Sequence, residues 1–339
     1  MIQSNEWKKR SENSKYYRSG GFKVKVITWN RDRLSELVDL WNKELATDFP
    51  MREELFKQNS FDDINVSYDS SYMAVDDQDR VIGFVVAKRW QETIDVNMDV
   101  KRGWIQVLLV DSGHRGKGIG LALYERAEAS LKVHGIEEIQ LAGDPFHYFS
   151  GIPDQYQTVQ RWAEKYGYVK RVDTYDLLNH LDKKYDLPVD DSVTFSILKN
   201  EEQADLISFL ERCFPGRWVY ETMKYFEMNG DGREFVVIKK NDKIIGFCRI
   251  NDSQSPFIAQ NVYWSPLFNE EVGGIGPLGI DTNEQKQGYG IAIVQAAMAF
   301  LQQRNIETII IDWTILVDFY KKLDFDPWKK YGVYLKNVT

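Results

Sequence analysis

The sequence predicts a mixed α/β protein in which one unit of strands and helices occurs twice in tandem. Its 339 residues exceed what one hydrophobic core usually supports, so two domains are expected. Two β-branched hairpin patterns carry the glycines Gly83 and Gly246, which stand 163 positions apart. Two glycine-rich segments follow in the same order, with the matching glycines Gly118 and Gly288 170 positions apart. Because two independent features repeat at nearly equal offsets, they indicate a duplicated unit.

Each copy shows the same order of predicted elements. Phe22–Val26 and Val193–Ile197 alternate like strands, and each is followed by apolar residues at helical spacing. The hairpin patterns occupy residues 72–86 and 235–248, where β-branched runs flank turn residues. A strand, the glycine loop, a helix, a strand, a helix and a strand complete each copy, which predicts a mixed α/β or α+β unit. The expected divisions are a flexible tail at 1–20, a first domain at 21–180, a linker at 181–192 and a second domain at 193–339.

Composition limits the classes of function. The net charge of −8, from 43 basic and 51 acidic residues, argues against a nucleic-acid partner. No run of eighteen apolar residues occurs, and the first residues lack an apolar signal core, so we expect a cytoplasmic protein without a membrane partner. Cys213 and Cys248 are expected to be reduced core residues. The four histidines show no metal-ligand spacing, so no metal is expected.

The first glycine-rich segment is suited to hold a diphosphate. An apolar strand, Val107–Val110, ends in a short turn, and the glycine loop then opens a helix. Glycines let the backbone approach an anion closely, and the helix N-terminus supplies free N–H donors and the positive end of its dipole. Arg115 and Lys117 add formal charge. The loop fails the Walker pattern, and Leu123 stands where a dinucleotide fingerprint needs its third glycine.

The segment from Leu108 to Gly120 resembles the acyl-coenzyme A signature of the GNAT (GCN5-related) acetyltransferases. That signature is an apolar strand, a short turn, and then Arg or Gln-x-x-Gly-x-Gly at the start of a helix, and Leu278–Gly290 repeats it with Gln285 first. The resemblance covers residues 22–180 and 193–337. It implies two tandem domains, each a mixed, mostly antiparallel sheet flanked by helices, with acetyl-CoA as the cofactor. The coenzyme-binding residues that it implies are Leu108, Leu109, Val110, Arg115, Gly116, Lys117, Gly118, Ile119, Gly120, Leu278, Ile280, Gln285, Gly288 and Gly290.

The resemblance also implies direct attack of an amine on the thioester, with backbone N–H groups of the strand before the loop holding the oxyanion. Tyr320 lies in a stretch similar to the family's closing motif and is the candidate general acid, with a packing tyrosine as the alternative. In the first copy Ala163 takes that place. There His147 and Tyr148, on an extra loop, are candidates to donate the proton or to shape the acceptor pocket. A rigid loop packed by its own aromatic residues is the alternative.

The predicted function is N-acetyl transfer to a small amine, such as an aminoglycoside-like acceptor, or to a peptide amine. A non-catalytic acyl-CoA sensor or scaffold is the alternative, and the failed fingerprint disfavours a dinucleotide-dependent enzyme. Arg115, Gly116 and Lys117 favour the first copy as the main coenzyme site, in which case a bulky residue at Gly118 should abolish binding. The oligomeric state stays open, a homodimer included.

Overall fold

The computed structural model describes residues 17–19 and 22–339. Most of the predicted tail, residues 1–16 and 20, lies outside the described residues, as does residue 21. The strands are β1 Tyr17–Ser19, β2 Phe22–Thr28, β3 Tyr72–Val75, β4 Val81–Arg89, β5 Arg102–Val110, β6 Glu138–Leu141, β7 Ile152–Pro153, β8 Val169–His180, β9 Thr194–Ile197, β10 Phe235–Lys240, β11 Lys243–Asn251, β12 Val272–Ile280, β13 Thr308–Thr314 and β14 Asp326–Asn337. The α-helices are α1 Leu34–Leu45, α2 Glu53–Lys57, α3 Ile119–Val133, α4 Gln157–Lys165, α5 Gln203–Cys213, α6 Arg217–Glu227, α7 Tyr289–Gln303 and α8 Val317–Tyr320.

The predicted repeat of one mixed α/β unit is confirmed. Both hairpins form: β3 pairs antiparallel with β4, and β10 pairs antiparallel with β11. In the second hairpin Asn241 and Asp242 both have positive φ, which suits the two-residue turn that matches strand twist. Between β8 and β9, residues 181–193 form no helix or strand. Among the described residues, none of the helices is long and apolar enough to cross a membrane.

The two copies share one continuous sheet. Its strand order is β1-β2-β3-β4-β5-β6-β14-β8-β13-β12-β11-β10-β9, with β7 paired to β14 outside this path. All pairs are antiparallel except β5 with β6 and β12 with β13. The sheet is therefore mostly antiparallel, as the resemblance implied.

The halves are joined by an exchange of their last strands. The first half ends with β8, which pairs with β13 of the second half, and the second half ends with β14, which pairs with β6 of the first. The two exchanged strands also pair with each other, from Asp326 opposite Leu178 to Leu335 opposite Val169. Residues of the first half therefore lie directly beside the second half's central strands.

Each half contains one pair of parallel strands that separate partway along their length. Strand β5 pairs with β6 only from Arg102 to Ile105, and β12 pairs with β13 only from Val272 to Gly274. Beyond these points the strands diverge towards the glycine loop. Because an unpaired strand edge presents free backbone N–H and C=O groups, each divergence is a place where another chain or a ligand can bind.

The helix after each glycine loop packs on the sheet through one apolar face. In α3 the buried residues include Leu123, Tyr124, Ala127 and Leu131, the face that helical periodicity predicts. Helix α7 buries a wider face, because eight of its fifteen residues are buried. This packing fixes the N-terminus of each helix beside the end of the diverging strand.

Candidate active site

A cavity of about 910 Å³ opens where β12 and β13 diverge in the second half. One wall is the end of β12 and the glycine loop, and the opposite wall is the end of β13 and helix α8. The residues of the second copy that the sequence singled out all line it: Leu278, Ile280, Gln285, Gly288, Gly290 and Tyr320. The fold therefore brings the predicted loop, strand and tyrosine to one space.

The glycine loop of the second half has the geometry of an anion site. Gly288 is the N-cap of α7 with φ +84°, a conformation that L side chains rarely adopt. A Cβ built at Gly288 would meet no atom within 4 Å, so the loop surface is open there. The first turn of α7 points N–H groups without intrahelical acceptors at the cavity, beside Lys286. These backbone N–H groups, together with the charge of Lys286, are suited to bind a diphosphate.

The loop of the first half has the same backbone, but its charged side chains are bound within the protein. Gly118 caps α3 with φ +78°. Arg115 donates from Nε to the carbonyl oxygen of Val110 at 3.0 Å and forms an ion pair with Glu44. None of the predicted coenzyme residues from Leu108 to Gly120 lines the cavity. The cavity lies in the second half, whereas the charges of Arg115 and Lys117 favoured the first half as the main coenzyme site.

The first half also fills its own strand divergence. Every residue from 141 to 153 is buried, so the extra loop that carries His147 and Tyr148 packs inside the protein. At the point of divergence, Gln106 donates to the carboxylate of Asp144 at 3.2 Å and to the carbonyl oxygen of Asn59, also at 3.2 Å. Chain therefore occupies the strand divergence of the first half around Gln106, although the surface of its glycine loop is open, because a Cβ built at Gly118 would meet no atom within 4 Å.

Tyr148 belongs to this packing. Its hydroxyl lies 2.8 Å from Ser60 Oγ, and its ring packs edge-on against Trp41 with 4.9 Å between centroids. It is buried and does not line the second-half cavity. This packing is the arrangement expected from the alternative for this loop, a rigid segment packed by its own aromatic residues.

We expect Tyr148→Phe to lower the free energy of unfolding by about 1 kcal/mol, because it removes one partner of a buried hydrogen bond. The rate of a reaction in the second-half cavity should not change, because Tyr148 does not line that cavity. Denaturant unfolding and a turnover assay on the same preparation measure both quantities. A slower turnover with unchanged stability would instead show that Tyr148 takes part in the reaction.

The floor of the cavity is a β-bulge in β13. The register against β8 shifts between Ile311 and Thr314, and Trp313 between them has φ +46°. The Trp313 N–H donates to Asp176 Oδ1 at 3.2 Å, and the other oxygen of that carboxylate accepts from the Tyr331 hydroxyl at 2.5 Å. Bulges re-aim side chains next to active sites, and here the exchanged strands hold the bulge in place.

The bulge presents Asp312 to the cavity. Its side chain is 19% exposed. Burial, reinforced by the negative charges of Asp176 and Glu221 and opposed by Arg217, raises the pKa of Asp312 from 3.8 to about 7. A carboxyl group with a pKa near neutrality is suited to accept and release a proton at physiological pH. Asp312 was not identified from the sequence, although an acidic residue directly after the apolar run Ile309–Ile311 was a usable signal.

His147 of the first half lines this second-half cavity. Its Nδ1 lies 3.1 Å from Arg217 Nη2, and its Nε2 lies 3.9 Å from Asp312 Oδ2. Its ring also packs edge-on against Trp313, with 4.8 Å between centroids. The structure thus brings this predicted residue to an active-site candidate, but in the other half from the one considered for it.

Tyr320 lines the cavity from α8 and is 6% exposed. Burial raises its pKa above the usual range, and the nearby Cys248 and Asp312 raise it further. The hydroxyl therefore keeps its proton at neutral pH and is available as a donor.

Comparisons with known proteins agree with this architecture. A family model described as acetyltransferase (GNAT) family matches residues 34–147 and 204–325, one match in each half. Among curated proteins, no sequence matches this chain.

Three solved structures illustrate the likeness of fold. One is described as a GCN5-related glucosamine N-acetyltransferase region of a fungal multi-domain GH3 β-N-acetylglucosaminidase, with TM-score 0.84 and 24% identity over 94% of this chain and 38% of that one. This chain thus spans well under half of that protein. An N-acetyltransferase from Sphaerobacter thermophilus gives TM-score 0.68 and 15% identity, over 93% of this chain and 95% of that one. A tandem GNAT protein from the clavulanic acid biosynthesis pathway gives 0.65 and 14%, over 93% and 98%.

The matches of the family model fall in both halves, on both glycine loops and on the strands that precede them. The Sphaerobacter thermophilus protein and the tandem GNAT protein each align along nearly the whole length of this chain. The chain therefore belongs to the acetyltransferase (GNAT) family, as a tandem member with two copies of the fold.

Proposed function

We propose that this protein transfers an acetyl group from acetyl-CoA to the amine of a small-molecule acceptor, with a single coenzyme site in the second half. The observation that carries the proposal is the open divergence of β12 and β13, with a glycine loop at one end and Asp312 at its floor. Backbone N–H groups of the loop and the first turn of α7 would hold the diphosphate. The unpaired edge of β12 would hold the pantetheine arm.

The side chains of the cavity support a direct transfer. Asp312 takes a proton from the acceptor ammonium, and the amine nitrogen attacks the thioester carbonyl carbon. Backbone N–H groups of β12 stabilise the oxyanion that forms. The carbon–sulfur bond then breaks, the amide is released, and Tyr320 donates its proton to the leaving thiolate. The nitrogen gives up its second proton to the Tyr320 phenolate, which restores the hydroxyl, and the proton on Asp312 passes to solvent, so the products are the amide, free coenzyme A and one proton.

We further propose an amino sugar as the acceptor. Trp218 and Trp313 provide aromatic faces, while Glu221, Gln260 and Asp312 provide groups that can bind hydroxyls and an ammonium. The similar fungal region is described as a glucosamine N-acetyltransferase, which supports the same choice.

Tyr320→Phe tests the proton donor. We expect kcat to fall about 10- to 100-fold, because the thiolate would leave without a positioned acid. The affinity for acetyl-CoA should stay within about twofold, since the ring and its packing are retained. An unchanged kcat would make Tyr320 a packing residue. Steady-state kinetics with a calorimetric titration of coenzyme A separate these outcomes.

Release of free thiol from acetyl-CoA, measured over a panel of amino sugars, aminoglycosides and peptide amines, tests the function itself. We expect acceptor-dependent release with 2-amino sugars and a matching acetylated product by mass spectrometry. Coenzyme binding without release for any amine would instead favour an acyl-CoA sensor.

A further inference from the structure

We propose that His147, contributed by the first half, is a positioning residue for the second-half site and holds the Asp312 carboxylate by presenting an N–H to it. The inference rests on the proposed function, because it gives Asp312 its role as base. It joins the two halves into one catalytic unit, in which the loop that fills the first half's divergence also forms a wall of the second half's cavity.

The contact with Arg217 determines which nitrogen of the His147 imidazole carries the proton. A guanidinium only donates hydrogen bonds, so Nδ1 of His147, 3.1 Å from Arg217 Nη2, must be the acceptor. In the neutral ring the proton is therefore on Nε2, the atom that faces Asp312.

Arg217 is itself fixed at three points. Its Nη1 donates to the carbonyl oxygen of Gly143 at 3.1 Å, and its Nε donates to Glu221 Oε1 at 2.7 Å. Its guanidinium also lies over the Trp313 ring, 4.6 Å from the centroid. An arginine held this way gives the histidine one orientation, so the direction of its Nε2–H is set before any substrate binds.

His147 stays neutral in this setting. Burial lowers its pKa well below 6.5, and the positive charges of Arg217 and Lys88 act in the same direction. It therefore acts as a neutral N–H donor to the carboxylate and adds no charge of its own.

The donated proton favours the charged form of Asp312 and so limits how far its pKa rises. The 3.9 Å separation is longer than a direct hydrogen bond, so a small rotation of the Asp312 side chain towards the fixed imidazole completes it. The other charged or titratable groups around the carboxylate are Arg217 and Glu221 on α6, Asp176 on β8, Arg249 on β11, Tyr263 before β12, Tyr320 on α8 and Tyr331 on β14.

Two replacements of similar polarity separate positioning from packing. In His147→Asn, the side-chain oxygen can still accept from Arg217, but the amide is too short to reach Asp312. In His147→Gln, the longer amide can place its N–H where Nε2 stood. We expect His147→Asn to lower kcat about 10-fold at pH 7 and to move the acidic limb of the pH profile, along which activity falls as Asp312 is protonated, up by about one pH unit. The KM for acetyl-CoA should not change. His147→Gln should recover most of both effects, and His134→Asn, on the surface beside Asp69, should match the unaltered protein. Profiles of both His147 variants that superimpose on the unaltered one would overturn the proposal.

A second readout does not depend on turnover. Long-range ¹H–¹⁵N spectra of histidine-labelled protein report the tautomer of each ring, and His147→Asn assigns the signal of His147. We expect the Nε2–H tautomer at neutral pH, with a shift of that signal in Asp312→Asn. An Nδ1–H tautomer, or no response to Asp312→Asn, overturns the proposal even if acetyl transfer occurs. If instead the amine panel gives no turnover while the spectra show the predicted tautomer and response, the proposed function fails and the His147–Asp312 contact stands.

Discussion

Asp312→Asn is expected to lower kcat by about 10²- to 10³-fold, the range typical of losing a positioned general base. The amide has the same shape but cannot take the proton from the acceptor ammonium. The KM for acetyl-CoA should stay within about twofold, because the coenzyme contacts lie on β12 and the glycine loop. In the unaltered protein, activity should fall as the pH drops through about 7, because a raised pKa leaves the base protonated below that value. In the variant this limb should disappear.

The same replacement should stabilise the fold at alkaline pH. The pKa of Asp312 is about 7 in the folded protein, against an ordinary 3.8. Ionisation of the carboxyl therefore lowers the free energy of unfolding as the pH rises from about 4 to 7. Asparagine removes that loss, and we expect a gain of up to about 4 kcal/mol in the free energy of unfolding at pH 8, with little gain at pH 4. Asp186→Asn, at an exposed position, is the control for both kinetics and stability. Normal turnover in Asp312→Asn would remove Asp312 from the mechanism.

A matched pair of glycine replacements should differ in coenzyme binding: one should lose it and the other should keep it. Gly288→Leu places a side chain on the open loop surface of the second half, and we expect the affinity for coenzyme A to fall at least about 100-fold. Gly118→Leu makes the same change at φ +78° instead of +84°, so it carries a similar backbone strain of about 1–2 kcal/mol. Its affinity should nevertheless stay within about twofold. This reverses the expectation drawn from the charges of Arg115 and Lys117.

Calorimetric titration of both variants gives affinity and stoichiometry together. The unaltered protein should bind one coenzyme A per chain. Thermal unfolding serves as the control, since equal losses of stability in the two variants show that the difference in binding is local. Loss of binding in Gly118→Leu alone would place the coenzyme in the first half.

Local sequence patterns predicted the repeated unit and both glycine loops, because these features depend on neighbouring residues. Gly118 and Gly288 adopt nearly the same conformation, as their shared motif requires. The same patterns could not show which loop faces a cavity. The difference arises because the segment 141–153 packs between the diverging strands of the first half. This segment lies more than twenty positions further along the chain than the glycine loop.

The exchange of the last strands could also not be predicted from the sequence. β8 and β14 are similar in length, so their patterns do not state which half each one joins. The exchange places Asp176 beside the bulge of β13. His147 likewise reaches Arg217, 70 positions away, only because the two halves pack together. Asp312 could have been noticed as an acid directly after the apolar run Ile309–Ile311, but its raised pKa depends on these distant neighbours.

Hydrogen–deuterium exchange with and without acetyl-CoA compares the two glycine loops within the same molecule and so shows which of them binds the coenzyme. We expect slowed exchange in peptides covering 275–291 and no change in those covering 106–121. Protection of 106–121, alone or together with 275–291, would contradict a single coenzyme site in the second half.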